Sequence, residues 1–136
     1  MSLDLRRHIG QLVVVGFAGS SLPVELCRLA REFDLGGIIL FSRNIEAPLQ
    51  VAELSYAAQQ LAVDMPLWIS VDQEGGRVQR LRSPFTEWPA QSVFGRCDDG
   101  GLADRFSRAL AKELRMVGIN LDYAPVLDVH TNIRNP

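Results

Sequence analysis

Short apolar runs alternating with longer helical stretches constrain this chain more than anything else in it. Three runs, Gln11-Leu-Val-Val-Val-Gly16, Ile38-Ile-Leu-Phe41 and Leu67-Trp-Ile-Ser-Val71, are almost unbroken, and Asn120-Leu-Asp-Tyr123 adds a shorter fourth. A strand with one wet face alternates apolar and polar residues, whereas a run apolar throughout is covered on both faces. The intervals between the runs carry helical periodicity. Pro23 opens a helix to about Phe33, with Ser20 or Ser21 placed to cap it and Val24, Leu26, Cys27, Leu29 and Ala30 as its buried face. Gly36-Gly37 stops that helix. A second helix begins at Pro48, with Leu49, Ala52, Leu54, Ala57, Ala58 and Leu61 as its apolar face, and a third spans about Leu102 to Val117, with Gly118 as its stop. Between Asp72 and Gly101 lies a long polar stretch containing Gly and Pro.

Strands alternating with helices are repeated βαβ units, and these build a parallel sheet. Right-handed crossovers leave two arrangements, a doubly wound open sheet or a closed barrel, and periodicity does not choose between them. No linker, repeat or low-complexity tract marks a second domain within residues 1–136.

Charge and composition narrow the function. Fourteen basic and sixteen acidic residues give a net charge of −2, so there is no basic field for a nucleic-acid backbone. Thirteen of the fourteen basic residues are arginine, scattered apart from Arg6-Arg7, which argues against a polybasic membrane patch. No apolar run approaches the ~20 residues of a membrane span. The opening residues lack the apolar core of a signal peptide, so a cytoplasmic location is the expectation. Cys27 and Cys97 are too few for a disulfide framework or zinc site, and His8 and His130 have no partners at ligand spacing. No metal and no organic cofactor is called for. Asp98-Asp99-Gly100-Gly101 lacks the spaced oxygen ligands of a calcium loop and reads as a turn and helix cap.

One segment carries chemistry: Asp72-Gln-Glu-Gly-Gly-Arg-Val-Gln-Arg80. Asp72 follows the third strand at its C-terminal end, where parallel α/β folds mount ligand groups. Gly75-Gly76 allows a sharp turn, so that Arg77 and Arg80 can point differently, one to a ligand and one outward to an acid. A carboxylate that accepts hydroxyl hydrogen bonds beside a guanidinium that donates them suits a neutral polyol. Which of the two arginines turns to the ligand is left open by the spacing. The competing readings are a turn cap for Asp72 and an arginine lying over Phe85 or Trp88 for Arg80. Glu74 and Arg77 are read as a local ion pair fixing the loop. Trp68, within a strand, is read as core.

The same nine residues closely resemble the D-[QH]-E-G-G-R-V-Q-R stretch of the family 3 β-N-acetylhexosaminidases. Gly36-Gly-Ile-Ile-Leu-Phe-Ser-Arg-Asn44, Gly10-Gln-Leu and Asn120-Leu-Asp-Tyr-Ala-Pro-Val-Leu-Asp-Val129 resemble other strands of that family, in order and spacing. The resemblance implies the N-terminal half of a (β/α)₈ TIM barrel, a fold that takes about 250 residues when complete. It implies a retaining glycoside hydrolase acting on terminal β-N-acetylglucosamine, with Asp72 and Arg80 holding the sugar. It also places the catalytic groups, a histidine acid/base and an aspartate nucleophile, beyond Pro136, so that no catalytic residue is assigned within the chain. Asp128, just past the fourth strand, is expected to support the site together with Glu74 and Arg77. Asp72 and Glu74 could reach the ~5–5.5 Å separation of a retaining pair, but two residues on one short loop cannot straddle the anomeric carbon, and the pair is rejected. A family 3 β-glucosidase and a non-catalytic sugar-binding half-barrel are the alternatives. Four strands alone would leave two open edges and an unfilled face, inviting self-association.

Overall fold

In the computed structural model the described residues are 3–127 and 131–132. Four strands, β1 (Val14–Gly16), β2 (Gly37–Leu40), β3 (Trp68–Val71) and β4 (Leu121–Asp122), form one sheet in the order β1-β2-β3-β4, all pairs parallel. This order resolves the choice that periodicity left open. Doubly wound sheets reverse direction about a switch point, whereas here every strand lies beside its predecessor, as a barrel requires. Asn120 extends the short β4 ladder, its Oδ1 accepting the Ile69 N–H at 2.8 Å and its Nδ2 donating to the Leu67 carbonyl at 3.0 Å.

Side chains alternate across the sheet. Ile38, Leu40, Ile69 and Val71 are all at most 1% exposed. They share the core with Leu26 and Ala30 of α2 (Val24–Phe33), Val51, Leu54 and Ala58 of α3 (Pro48–Gln59), and Leu110 and Leu114 of α5 (Gly100–Met116). The opposite face is unevenly covered, for Ser70 is fully buried on it. Trp68, expected in the core, stands on that face at the start of its strand and is 52% exposed. The first strand is likewise not covered on both faces: Leu12 is 85% exposed, and Val13 and Val14 are also exposed.

Two helices lie outside the sequence expectation. α1 (Leu3–Gly10) precedes β1 and packs on α2, and α4 (Ser92–Cys97) sits in the polar stretch after β3. α2 carries no serine cap; Pro23 takes the N-cap position with no side-chain hydrogen bond. Its end differs too. Asp34, not glycine, adopts the left-handed conformation (φ 52°), buried and accepting from Gln11 Nε2 at 2.7 Å. Gly36-Gly37 instead lets strands approach, since a Cβ on Gly36 would meet the Gln11 carbonyl oxygen at 2.0 Å and one on Gly37 the Trp68 oxygen at 2.4 Å. Asp99 caps α5 as expected, its Oδ1 accepting the Leu102 N–H at 3.0 Å. Cys27 is only half-buried. No helix among the described residues is long and apolar enough to cross a membrane.

Candidate functional site

All four strands point the same way, so the segments following β1, β2, β3 and β4 share one rim. The segment after β3 dominates it. Asp72 leaves the strand directly after fully buried Val71, and the chain then folds into a tight hairpin. Glu74 N–H and Gly75 N–H both donate to the Val78 carbonyl, at 2.9 and 3.1 Å. Gly75 (φ 90°) and Gly76 (φ 61°) make the turn, and a Cβ on Gly75 would stand 2.2 Å from the Pro89 carbonyl oxygen.

This hairpin returns Arg80 to Asp72. Nη2 of Arg80 donates to Oδ2 of Asp72 at 2.9 Å, and both side chains are 28% exposed. Charge assistance makes this the strongest side-chain contact of the loop. Among the described residues no hydrogen bond occupies Oδ1 of Asp72, so the pair retains acceptor capacity facing the rim. The Arg80 guanidinium lies over Phe41, 5.7 Å from the ring centroid, rather than over Phe85 or Trp88. Its Nε is buried without a partner, a loss of roughly 1–3 kcal/mol that the paired end of the group must offset.

Glu74 and Arg77 do not form the expected ion pair. Arg77 stands at the hairpin tip, exposed, and among the described residues no salt bridge joins it to Glu74. The turn that brings Arg80 home sends Arg77 into solvent, where a pair would gain little. Asp128 lies outside the described residues.

The rim holds functional groups that sequence reasoning missed. Gln73 is fully buried and bonded at both ends of its amide. Asn44, in the 3₁₀ turn Ser42–Asn44 after β2, is also fully buried. Its Nδ2 donates to the carbonyls of Phe17 and Gly19 at 3.1 and 2.7 Å, and its Oδ1 accepts the Phe41 N–H, so one amide stitches the β1 and β2 loops together. Arg43 stacks on Phe41 at 4.4 Å and donates from Nε to the Phe17 carbonyl at 2.8 Å, placing a second guanidinium on the rim. The sequence signals for these were the Phe41–Asn44 stretch following β2 and, for Gln73, its place inside the Asp72–Arg80 segment.

Asp122, at the end of β4, accepts the Gln73 N–H on Oδ1 at 2.9 Å. Burial pushes its pKa up to about 6. The hydrogen bonds from the Gln73 and Tyr123 N–H groups oppose that rise, and the neighbouring charges of Asp72 and Glu74 add to it. Asp122 thus forms a bridge between β4 and the β3 loop. Among the described residues no three metal-ligating side chains come together. An apolar groove of roughly 580 Å³ lies not at Asp72 but along α5 and the free edge of β4, where Phe94, Phe106, Leu110 and Leu114 line it. Apolar lining beside an unpaired strand marks a packing surface rather than a polar site.

This arrangement has close counterparts. The chain matches the family described as glycosyl hydrolase family 3 N terminal domain over residues 4–136. It is 40% identical over 118 residues to a beta-hexosaminidase of Pseudomonas aeruginosa (strain LESB58), covering 86% of this chain and 35% of that protein. To beta-hexosaminidase A of Pseudoalteromonas piscicida it is 39% identical over 127 residues, covering 88% of this chain and 21% of that protein. Among solved structures, the family 3 β-N-acetylglucosaminidase from Paenibacillus sp. str. FPU-7 superposes with a TM-score of 0.85 at 42% identity, over 91% of this chain and 24% of that one. NagZ from Neisseria gonorrhoeae, in complex with N-trifluoroacetyl-D-glucosamine, superposes with a TM-score of 0.78 at 37% identity, over 86% of this chain and 36% of that one. The chain thus spans about a fifth to a third of the length of the curated relatives it matches. Its four parallel strands and the helices between them are those of the TIM-barrel-like domain, and on this agreement of strand order and sequence the chain belongs to the glycosyl hydrolase family 3 N-terminal domain family.

Proposed function

We propose that the protein containing this chain hydrolyses terminal β-N-acetylglucosamine residues with retention, and that this chain supplies the groups that hold the sugar. The observation that carries the reading is the Asp72–Arg80 pair, 2.9 Å apart and half-open at the C-terminal rim of a parallel sheet. An ionised carboxylate with a free oxygen accepts sugar hydroxyls, and the guanidinium beside it donates to hydroxyl or carbonyl oxygens. Because each is already fixed by the other, the sugar meets a preorganised site and binding energy goes into position at the anomeric carbon. The attacking carboxylate and the proton donor come from outside this chain, so the isolated chain is inactive. Muropeptide fragments of peptidoglycan in the cytoplasm are the proposed natural substrates, and the two open sheet edges are proposed to make the isolated chain self-associate.

The test is turnover of a chromogenic β-N-acetylglucosaminide by the full-length protein, against the matching β-glucoside. Asp72→Ala removes the acceptor and strands the Arg80 charge, so kcat/KM should fall by about 100-fold or more, in keeping with loss of a charged hydrogen bond of ~3 kcal/mol. Preference for the glucoside would move the reading to a β-glucosidase. Sugar binding without turnover of either would leave a binding module.

A further inference from the structure

We propose that Gln73 is a positioning residue for the Asp72–Arg80 pair, a role that rests on the sugar-holding reading above. A glutamine fully buried inside a rim loop needs partners for both ends of its amide. Its Oε1 accepts the backbone N–H of Arg80 at 2.8 Å and of Leu81 at 3.0 Å. Its Nε2 donates to the Leu81 carbonyl at 3.0 Å and, more weakly at 3.4 Å, to Gln79 Oε1. Its own N–H is held by Asp122 Oδ1 at 2.9 Å.

The consequence is geometric. Asp72 is placed by β3, which it directly follows, but Arg80 lies eight residues on, across a hairpin whose only ladder contact is the Gly75↔Val78 bridge. Nothing in that bridge sets the distance from Asp72 to Arg80. Gln73 sets it, because one side chain adjacent to Asp72 grips the backbone on both sides of the Arg80 carbonyl. Asp122 anchors the gripping residue to β4, and Gln79 extends the lattice by accepting the Trp88 N–H at 2.7 Å. Without the glutamine, two buried N–H groups and one carbonyl lose their partners together. The segment would move to recover them, and a shift of about 1 Å at a positioned group can cost 100-fold in rate.

A glutamine that only stabilised the fold would lower the melting temperature and leave affinity alone. The experiment is therefore a double-mutant cycle in the full-length protein, with KM and kcat measured on the chromogenic β-N-acetylglucosaminide well below the melting temperature. Gln73→Met, which keeps the volume and removes the hydrogen bonds, should lower kcat/KM at least tenfold, mostly through KM. In an Arg80→Ala background the same change should cost less than twofold, because Gln73 acts through Arg80. Gln73→Glu should recover toward the wild-type value as pH falls, since a protonated carboxyl supplies one acceptor and one donor where the amide did. Gln73→Met within twofold of wild type, or an equal loss with and without Arg80, overturns the proposal. If the wild-type protein does not turn over the sugar, the functional reading fails separately, and positioning is read by hydrogen exchange. The Arg80 and Leu81 amides should then exchange at least 100-fold faster in Gln73→Met while those of Ile38 and Ile69 keep their protection. Unchanged Arg80 and Leu81 protection would equally overturn the role.

Discussion

Asp122 is half-buried at the junction of two strand ends, and desolvation wins over its two backbone hydrogen bonds in setting its charge. Its pKa in the folded chain, about 6, lies above the ordinary 3.8, so folding favours the protonated form. The stabilisation from this group is complete below pH ~4 and is lost as pH rises through about 6. The full shift corresponds to at most about 3 kcal/mol, which solvent screening at a half-exposed group reduces to roughly 1 kcal/mol. Asn keeps an oxygen for the Gln73 N–H and carries no charge. Asp122→Asn should therefore match wild type in urea denaturation at pH 4 and exceed it by about 1 kcal/mol at pH 7.5. Equal stability at both values would mean that the carboxylate is solvated in the folded chain. At this scale the sequence was half legible. Asp72 and Arg80 were readable because a strand end and a pair of glycines announce a mounted loop. Gln73 and Asp122 were not, because their roles depend on which backbone groups a hairpin leaves without ladder partners, and only the folded register decides that.

At the scale of elements, the strands and long helices followed from apolar runs and helical periodicity, with boundaries displaced by a residue or two except at the first strand, which starts three residues into its apolar run. The misses have physical causes. α1 is short and contains Arg6-Arg7 with little apolar surface, so its helicity comes from packing on α2 rather than from pattern. α4 lacks a buried residue altogether and leaves no periodic trace. α2 ends at Phe33 as expected, but its stop was assigned to the wrong residue, because Asp34 tolerates the left-handed turn once Gln11 holds its carboxylate, a contact made 23 residues away in sequence. The start of α5 was readable because Asp99 sits directly before it and its carboxylate takes up an N–H that the helix itself cannot satisfy. Asp99→Ala should lower stability by about 1 kcal/mol in chemical denaturation without altering sugar turnover, since α5 stands behind the sheet.

At the scale of the whole molecule, what is described has two free strands, β1 and β4, and an apolar groove of roughly 580 Å³ beside the second. Free parallel edges with apolar flanks favour pairing with another chain. The isolated 136-residue chain should accordingly show a sedimentation coefficient that rises with concentration in the micromolar range, and Ala111→Asp, exposed on the groove wall, should shift it toward monomer. A single monomeric boundary across that range would show that the edges protect themselves. Trp68, half-exposed on the sheet face opposite the core, gives a fluorescence signal that should move to shorter wavelength on association.

The sequential strand order has a consequence for how such a chain is made. Val14 pairs with Gly37, Gly37 with Trp68, and Ser70 with Leu121, so each strand's partner has already been synthesised when that strand emerges. A sheet that reverses about its first strand has no such directional growth. This one can be extended from one end as the ribosome delivers it, each unit templating the next. The rim that carries Asp72 and Arg80 would then be set last among the described strands, when β4 docks and Asp122 takes up the Gln73 N–H.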